Sequence, residues 1–179
     1  MGQYNVAITS HPDNVAAVDA AVEVLKSTEC IEQERRVRKG TGYITRSVDL
    51  ADELFFDIEK AKKLLSNISL GKGVEVVWVL AQSTTDVFIY FHWQSGKLVR
   101  ALICGEPEQC EWSRAEGETE EWEADAFEGE EVEGLNKQNY LLGWNEEKQT
   151  IRAPMVGELS LPPDAMKYAE SAVKYFEKG

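Results

Sequence analysis

Residues 74–104 read VEVVWVLAQSTTDVFIYFHWQSGKLVRALIC, and the fold class turns on how this stretch is divided. Val74 to Ala81, Val87 to Trp93 and Leu98 to Cys104 are short runs rich in β-branched and aromatic residues. Such residues suit a pleated, buried surface. The polar segment Gln82-Ser83-Thr84-Thr85-Asp86 separates the first two runs, and Ser95-Gly96 marks a tight turn before the third. A parallel return needs a crossover of about a dozen residues or more. Three strands this close together therefore predict an antiparallel meander.

Upstream, Leu54, Ile58, Ala61, Leu65 and Ile68 recur at helical spacing, while Glu53, Asp57, Lys60 and Lys63 fall largely off that stripe. The spacing predicts one helix over residues 50–68 that packs on the meander, with Asp49 or Asp52 as its cap and Gly71 and Gly73 as its stop. Cys30 to Arg46 reads as one or two strands broken at Gly40-Thr41-Gly42. Near the start, Tyr4, Val6 and Ile8 alternate with Asn5, Ala7 and Thr9, the period of a half-buried strand. A helix from Pro12 to Lys26 follows, with Ser10 as its cap and Val15, Val18, Val22 and Leu25 on its apolar face.

Downstream, Tyr140 to Trp144 and Thr150 to Arg152 suggest a hairpin, and Pro162-Pro163-Asp164 opens a last helix with Met166, Ala169, Val173 and Phe176 on one side. The expectation is an α+β fold. An antiparallel sheet with a central three-stranded meander packs against about three helices: one near the N-terminus, one at residues 50–68 and one at the C-terminus. Residues 1–179 form a single domain with an acidic insertion at about 106–134.

An apolar share of 43% and a charged share of 28% fit a globular chain better than a disordered one. No apolar run approaches the roughly 20 residues that span a bilayer. Met1 to Ser10 lacks the basic-then-apolar layout of a signal peptide, and the three cysteines, Cys30, Cys104 and Cys110, form no dense framework. A reducing, cytoplasmic setting is expected, with no membrane partner.

The net charge of −13 is concentrated: residues 106–134 hold 13 acids against Arg114 alone, and the rest of the chain is nearly balanced. Phosphate binding needs a cationic face. The one basic cluster, Arg35, Arg36, Arg38 and Lys39, is short and flanked by Glu32 and Glu34, so nucleic acid is not an expected partner. Gly71-Lys72-Gly73 lacks the spacing of a phosphate loop, and Cys104 and Cys110 are too far apart for dithiol chemistry. No catalytic residue, metal or cofactor is implied.

Within the acidic segment, Glu111-Trp112, then Gly117, then Trp122-Glu123 set aromatic rings among carboxylates. Rings can anchor a partner that the charges steer. This pattern nominates Trp112, Glu116, Glu118, Glu120, Glu121 and Trp122 as residues that bind a basic protein. Trp112, Trp122 and Phe127 are expected to tie down the ends of the segment, leaving a free middle near Gly117 to Glu121. The bland alternative packs both tryptophans on the sheet and leaves the glutamates solvated. The function predicted is a non-enzymatic protein-binding or regulatory module of inhibitor or immunity type. The rival is a small enzyme or ligand-binding domain whose pocket uses Tyr90, His92, Arg100 or Cys104 from adjacent strands.

Overall fold

The computed structural model describes residues 3–28, 31–39, 43–84, 87–104, 114–118, 120–126, 144–145, 150–151 and 165–177. The meander is present: β4 (Glu75–Gln82), β5 (Val87–Gln94) and β6 (Lys97–Cys104) pair antiparallel in sequence order. The β5–β6 turn has positive φ at both Ser95 (47°) and Gly96 (81°), the backbone of a two-residue hairpin whose twist matches its strands.

Among the described residues, seven strands form one sheet in the order β2-β3-β1-β4-β5-β6-β7, and every neighbouring pair is antiparallel. The added strands are β1 (Gln3–His11), β2 (Ile31–Lys39), β3 (Ile44–Leu50) and β7 (Arg114–Gly117). The basic cluster therefore lies on an edge strand. The acidic segment supplies the opposite edge. Two short strands, β8 (Trp144–Asn145) and β9 (Thr150–Ile151), pair separately at the expected hairpin.

Helices cover both faces of the sheet. Helix α1 (Val15–Ser27), the short α2 (Asp52–Phe55) and α3 (Ile58–Lys72) lie on one face. There Val22, Leu25, Leu54, Leu65 and Ile68 share a core with Trp78, Phe91 and Ala101 of the meander. The short α4 (Glu121–Ala126) and the C-terminal α5 (Ala165–Glu177) lie on the other. There Trp122, Tyr168, Ala169 and Val173 meet Val77, Val79, Phe88 and Tyr90. The strand β1, expected to be half-buried, is instead buried continuously from Asn5 to Ser10. Its small Ala7 enters the first core while Val6 and Ile8 enter the second. A central strand between two helical layers has no solvent face.

Local polar chemistry corrects two helix boundaries. Ser10 stays in β1; Asn14 caps α1 by accepting from the Ala17 amide at 3.0 Å, and His11 Nδ1 accepts from the Asp13 and Asn14 amides. The predicted single helix at 50–68 is two. Asp57, with φ of −130°, caps α3 by accepting from the Lys60 amide at 2.9 Å, and Phe56 between the helices is exposed. The helix then continues through Gly71 and stops at the left-handed Gly73. Among the described residues, no helix is long and apolar enough to cross a membrane.

Candidate functional site

Strand alternation selects the residues beneath α4 and α5. Glu75 on β4, Tyr90 and His92 on β5, and Arg100 on β6 point to the α5 side, with His92 opposite Arg100 across the β5–β6 ladder. These polar groups lie in runs that are otherwise apolar, so each needs a partner once buried. The partners come mainly from the acidic segment.

Arg100 is 1% exposed and Glu123 2%. The guanidinium donates to both carboxylate oxygens of Glu123, Nε to Oε1 at 2.7 Å and Nη2 to Oε2 at 3.0 Å. Its Nη1 donates to the carbonyls of Glu116, at 3.2 Å, and Gly117, at 2.7 Å. One side chain thus fastens both the end of β7 and the start of α4. A planar fork is suited to this, and a lysine could not reproduce it. Burial pushes the Glu123 carboxyl up, and the charge and hydrogen bonds of Arg100 oppose that push.

Glu120 is the second attachment. Tyr90 donates its hydroxyl to Oε2, Trp122 donates Nε1 to the same oxygen at 2.9 Å, and His92 Nδ1 bonds Oε1. On the other side of the ring, His92 Nε2 lies 2.9 Å from Glu75 Oε1, within ion-pair distance but off the line of a well-directed hydrogen bond. His92 is 5% exposed. Desolvation acts against the imidazolium. The Glu120 hydrogen bond, the close approach of Glu75 and the charges of both carboxylates outweigh it and lift the His92 pKa from 6.5 to about 9. Burial likewise acts to raise Glu120, but the hydrogen bond and charge of His92, with the Tyr90 and Trp122 donors, hold it below the usual carboxylate value. Tyr90 is raised well above its ordinary value, first by burial and then by the neighbouring carboxylate.

Aromatic packing completes the attachment. The Trp122 ring lies 4.8 Å from Tyr90 and 6.1 Å from Phe88, and Phe176 of α5 meets the His92 ring edge to face at 5.4 Å. The preceding residue, Tyr175, donates its hydroxyl to Glu121 at 3.0 Å.

The six nominated residues therefore separate. Glu118 and Glu121 are exposed and Glu116 is half-buried. Trp122, at 1% exposure, is part of the core, and Glu120 is turned onto the sheet. Neither of the last two offers a free surface to a partner. The expected free middle is pinned at Gly117 and at Glu120. Trp112, Phe127, Cys30 and Cys110 lie outside the described residues, and Cys104 ends β6. Sequence reading missed Glu75 as a partner of His92 and Glu123 as a partner of Arg100. A charged residue inside an apolar strand run was the available signal for Glu75 and Arg100. Nothing distinguished Glu120 and Glu123 from the other acids of their segment.

Among the described residues, no group of three or more His, Cys, Asp or Glu side chains is arranged to hold a metal ion. The fold and site define a three-layered α+β protein in which β7 and α4, the described parts of the acidic segment, are docked on the sheet through ion pairs of Arg100 and His92. Compared with family models, curated proteins and solved structures, the chain finds no match.

Proposed function

We propose that this protein is a non-enzymatic binding or regulatory module, of inhibitor or immunity type, that presents its acidic segment to a cationic surface on another protein. One observation carries the reading: the Arg100 and Glu120 attachments hold the chain on either side of the exposed Glu118 and next to the exposed Glu121 against the sheet. Charges held in place steer a partner without the full entropy cost of ordering a free tail. Trp112 keeps its sequence-based role as an aromatic anchor in this proposal. Tyr90, His92 and Arg100, the residues of the rival enzymatic reading, do share one face. Their polar atoms are buried and engaged by the chain's own carboxylates, which favours attachment over catalysis.

The test begins with proteins retained at low salt and released at high salt, because exposed charge is screened within about 10 Å at 0.1 M salt. A retained basic partner is then bound to the triple variant Glu116→Gln, Glu118→Gln, Glu121→Gln. Association should slow by roughly tenfold or more, with a flatter salt dependence and unchanged folding. An unchanged rate and salt slope would reduce the segment to a solvated edge of the sheet.

A further inference from the structure

His92 is set between two carboxylates that belong to different parts of the fold. Glu75 is fixed in β4, in the middle of the sheet, whereas Glu120 belongs to the acidic segment. A protonated ring has an N–H for each carboxylate; a neutral ring has only one. Losing the proton therefore leaves two negative groups facing each other across a buried ring, with one of them against a nitrogen lone pair. Removing one partner from a buried ionic set is costly because the remaining charge is uncompensated.

Among the described residues, no other group around the ring supplies that compensation. From β6, Arg100 is engaged by Glu123 of α4 and by the Glu116 and Gly117 carbonyls. From β5, Tyr90 already donates to Glu120. From α5 come the uncharged Phe176 ring and Tyr175, whose hydroxyl is held by Glu121, while Glu177 is turned to Ser47 at 2.7 Å.

We propose that Glu75, His92 and Glu120 form a proton-operated clasp, which holds the Glu120–Ala126 portion of the acidic segment on the sheet while the imidazole is protonated and lets it lift when the proton is lost. The clasp is a property of the fold. It stands whether or not the segment meets a cationic partner.

Hydrogen exchange of the 120–126 amides, corrected for intrinsic rates, tests this across pH. If opening returns His92 to its ordinary pKa, the opening constant rises about tenfold per pH unit from about 6.5 to about 9, some 300-fold in all, and then levels off. His92→Gln, which keeps a donor but carries no charge, should open more often than wild type below pH 6.5 and show no such rise. A flat wild-type profile would overturn the clasp, and so would a rise retained in His92→Gln. Should that variant fail to fold by circular dichroism, Glu75→Gln serves instead. With a single carboxylate left to hold the proton, its rise should end at lower pH; an unmoved end point would count against the proposal.

Discussion

Gly117 closes the acidic strand in a conformation that a side chain resists. Its φ is +83°, and a Cβ there would stand 1.9 Å from the Val99 carbonyl oxygen. Backbone cannot yield as a flexible side-chain tip can. Gly117→Ala must therefore push β7 away from β6 and stretch the bonds from Arg100 to the Glu116 and Gly117 carbonyls. Positive-φ strain together with disrupted buried hydrogen bonds should cost roughly 3 kcal/mol or more in urea unfolding. Gly71 is the control, since a Cβ there meets nothing within 4 Å. It lies inside α3, so Gly71→Ala should be neutral or stabilising by up to about 1 kcal/mol. Equal effects at the two sites would refute the close approach. At this scale the sequence was only partly legible. Gly117 stood out between two tryptophans, but a turn and a close approach leave the same letter. Arg100 could be seen to need a partner, yet 13 similar acids stood in the next segment. Choosing Glu123 required the β6–β7 register, which no local pattern encodes.

Elements were more legible than their ends, because periodicity records which face is buried while caps depend on one side chain's choice of partner. The stripe Leu54, Ile58, Ala61, Leu65, Ile68 was read correctly as a face packed on the meander, with all but the half-buried Ile58 buried. It could not reveal the break at Phe56 and Asp57, because two successive helices can present a continuous stripe to the same sheet. Asp57 was equally compatible with a solvated mid-helix position, and only its bond to the Lys60 amide makes it a cap. Leu65 is fully buried against the sheet. Leu65→Ala should cost roughly 2 to 5 kcal/mol, depending on how far the cavity collapses. Chemical denaturation showing a loss well below about 1 kcal/mol would place the apolar face of α3 elsewhere. In β1 the alternation misled in an instructive way. Asn5 and Thr9 looked like a solvent face, but Asn5 is buried, accepting from Trp78 Nε1 at 2.9 Å and donating to the Ala51 carbonyl at 3.1 Å. A polar residue whose bonds are all satisfied internally has the same sequence signature as one in water.

For the molecule as a whole, two kinds of electrostatics compete, and salt separates them. Residues 106–134 carry nearly the whole net charge of −13, and repulsion among exposed carboxylates weakens as salt is added. In the Glu75–His92–Glu120 set the ring is buried and both carboxylates are mostly shielded, so it is screened far less. Because the folded pKa of His92 is raised, from 6.5 to about 9, its stabilisation is fully present below 6.5 and is lost as pH rises through about 9. Glu120 has the opposite sign: its folded pKa is lowered, so its contribution is present above the ordinary carboxylate value and disappears as acid protonates it in the folded state. Both contributions coexist between about 4.5 and 6.5, which should be the window of greatest stability. Above it, the His92 shift corresponds to a loss of about 3 kcal/mol by pH 9, at about 1.4 kcal/mol per unit. Urea unfolding at a series of pH values, at low salt and again at about 0.5 M, distinguishes the two origins. High salt should raise stability throughout by relieving repulsion, yet leave the decline between pH 6.5 and 9 in place. His92→Gln should remove that decline at both salt concentrations. If salt alone abolished it, the pH dependence would belong to the exposed acids, and the buried set would not be what holds the acidic segment to the sheet.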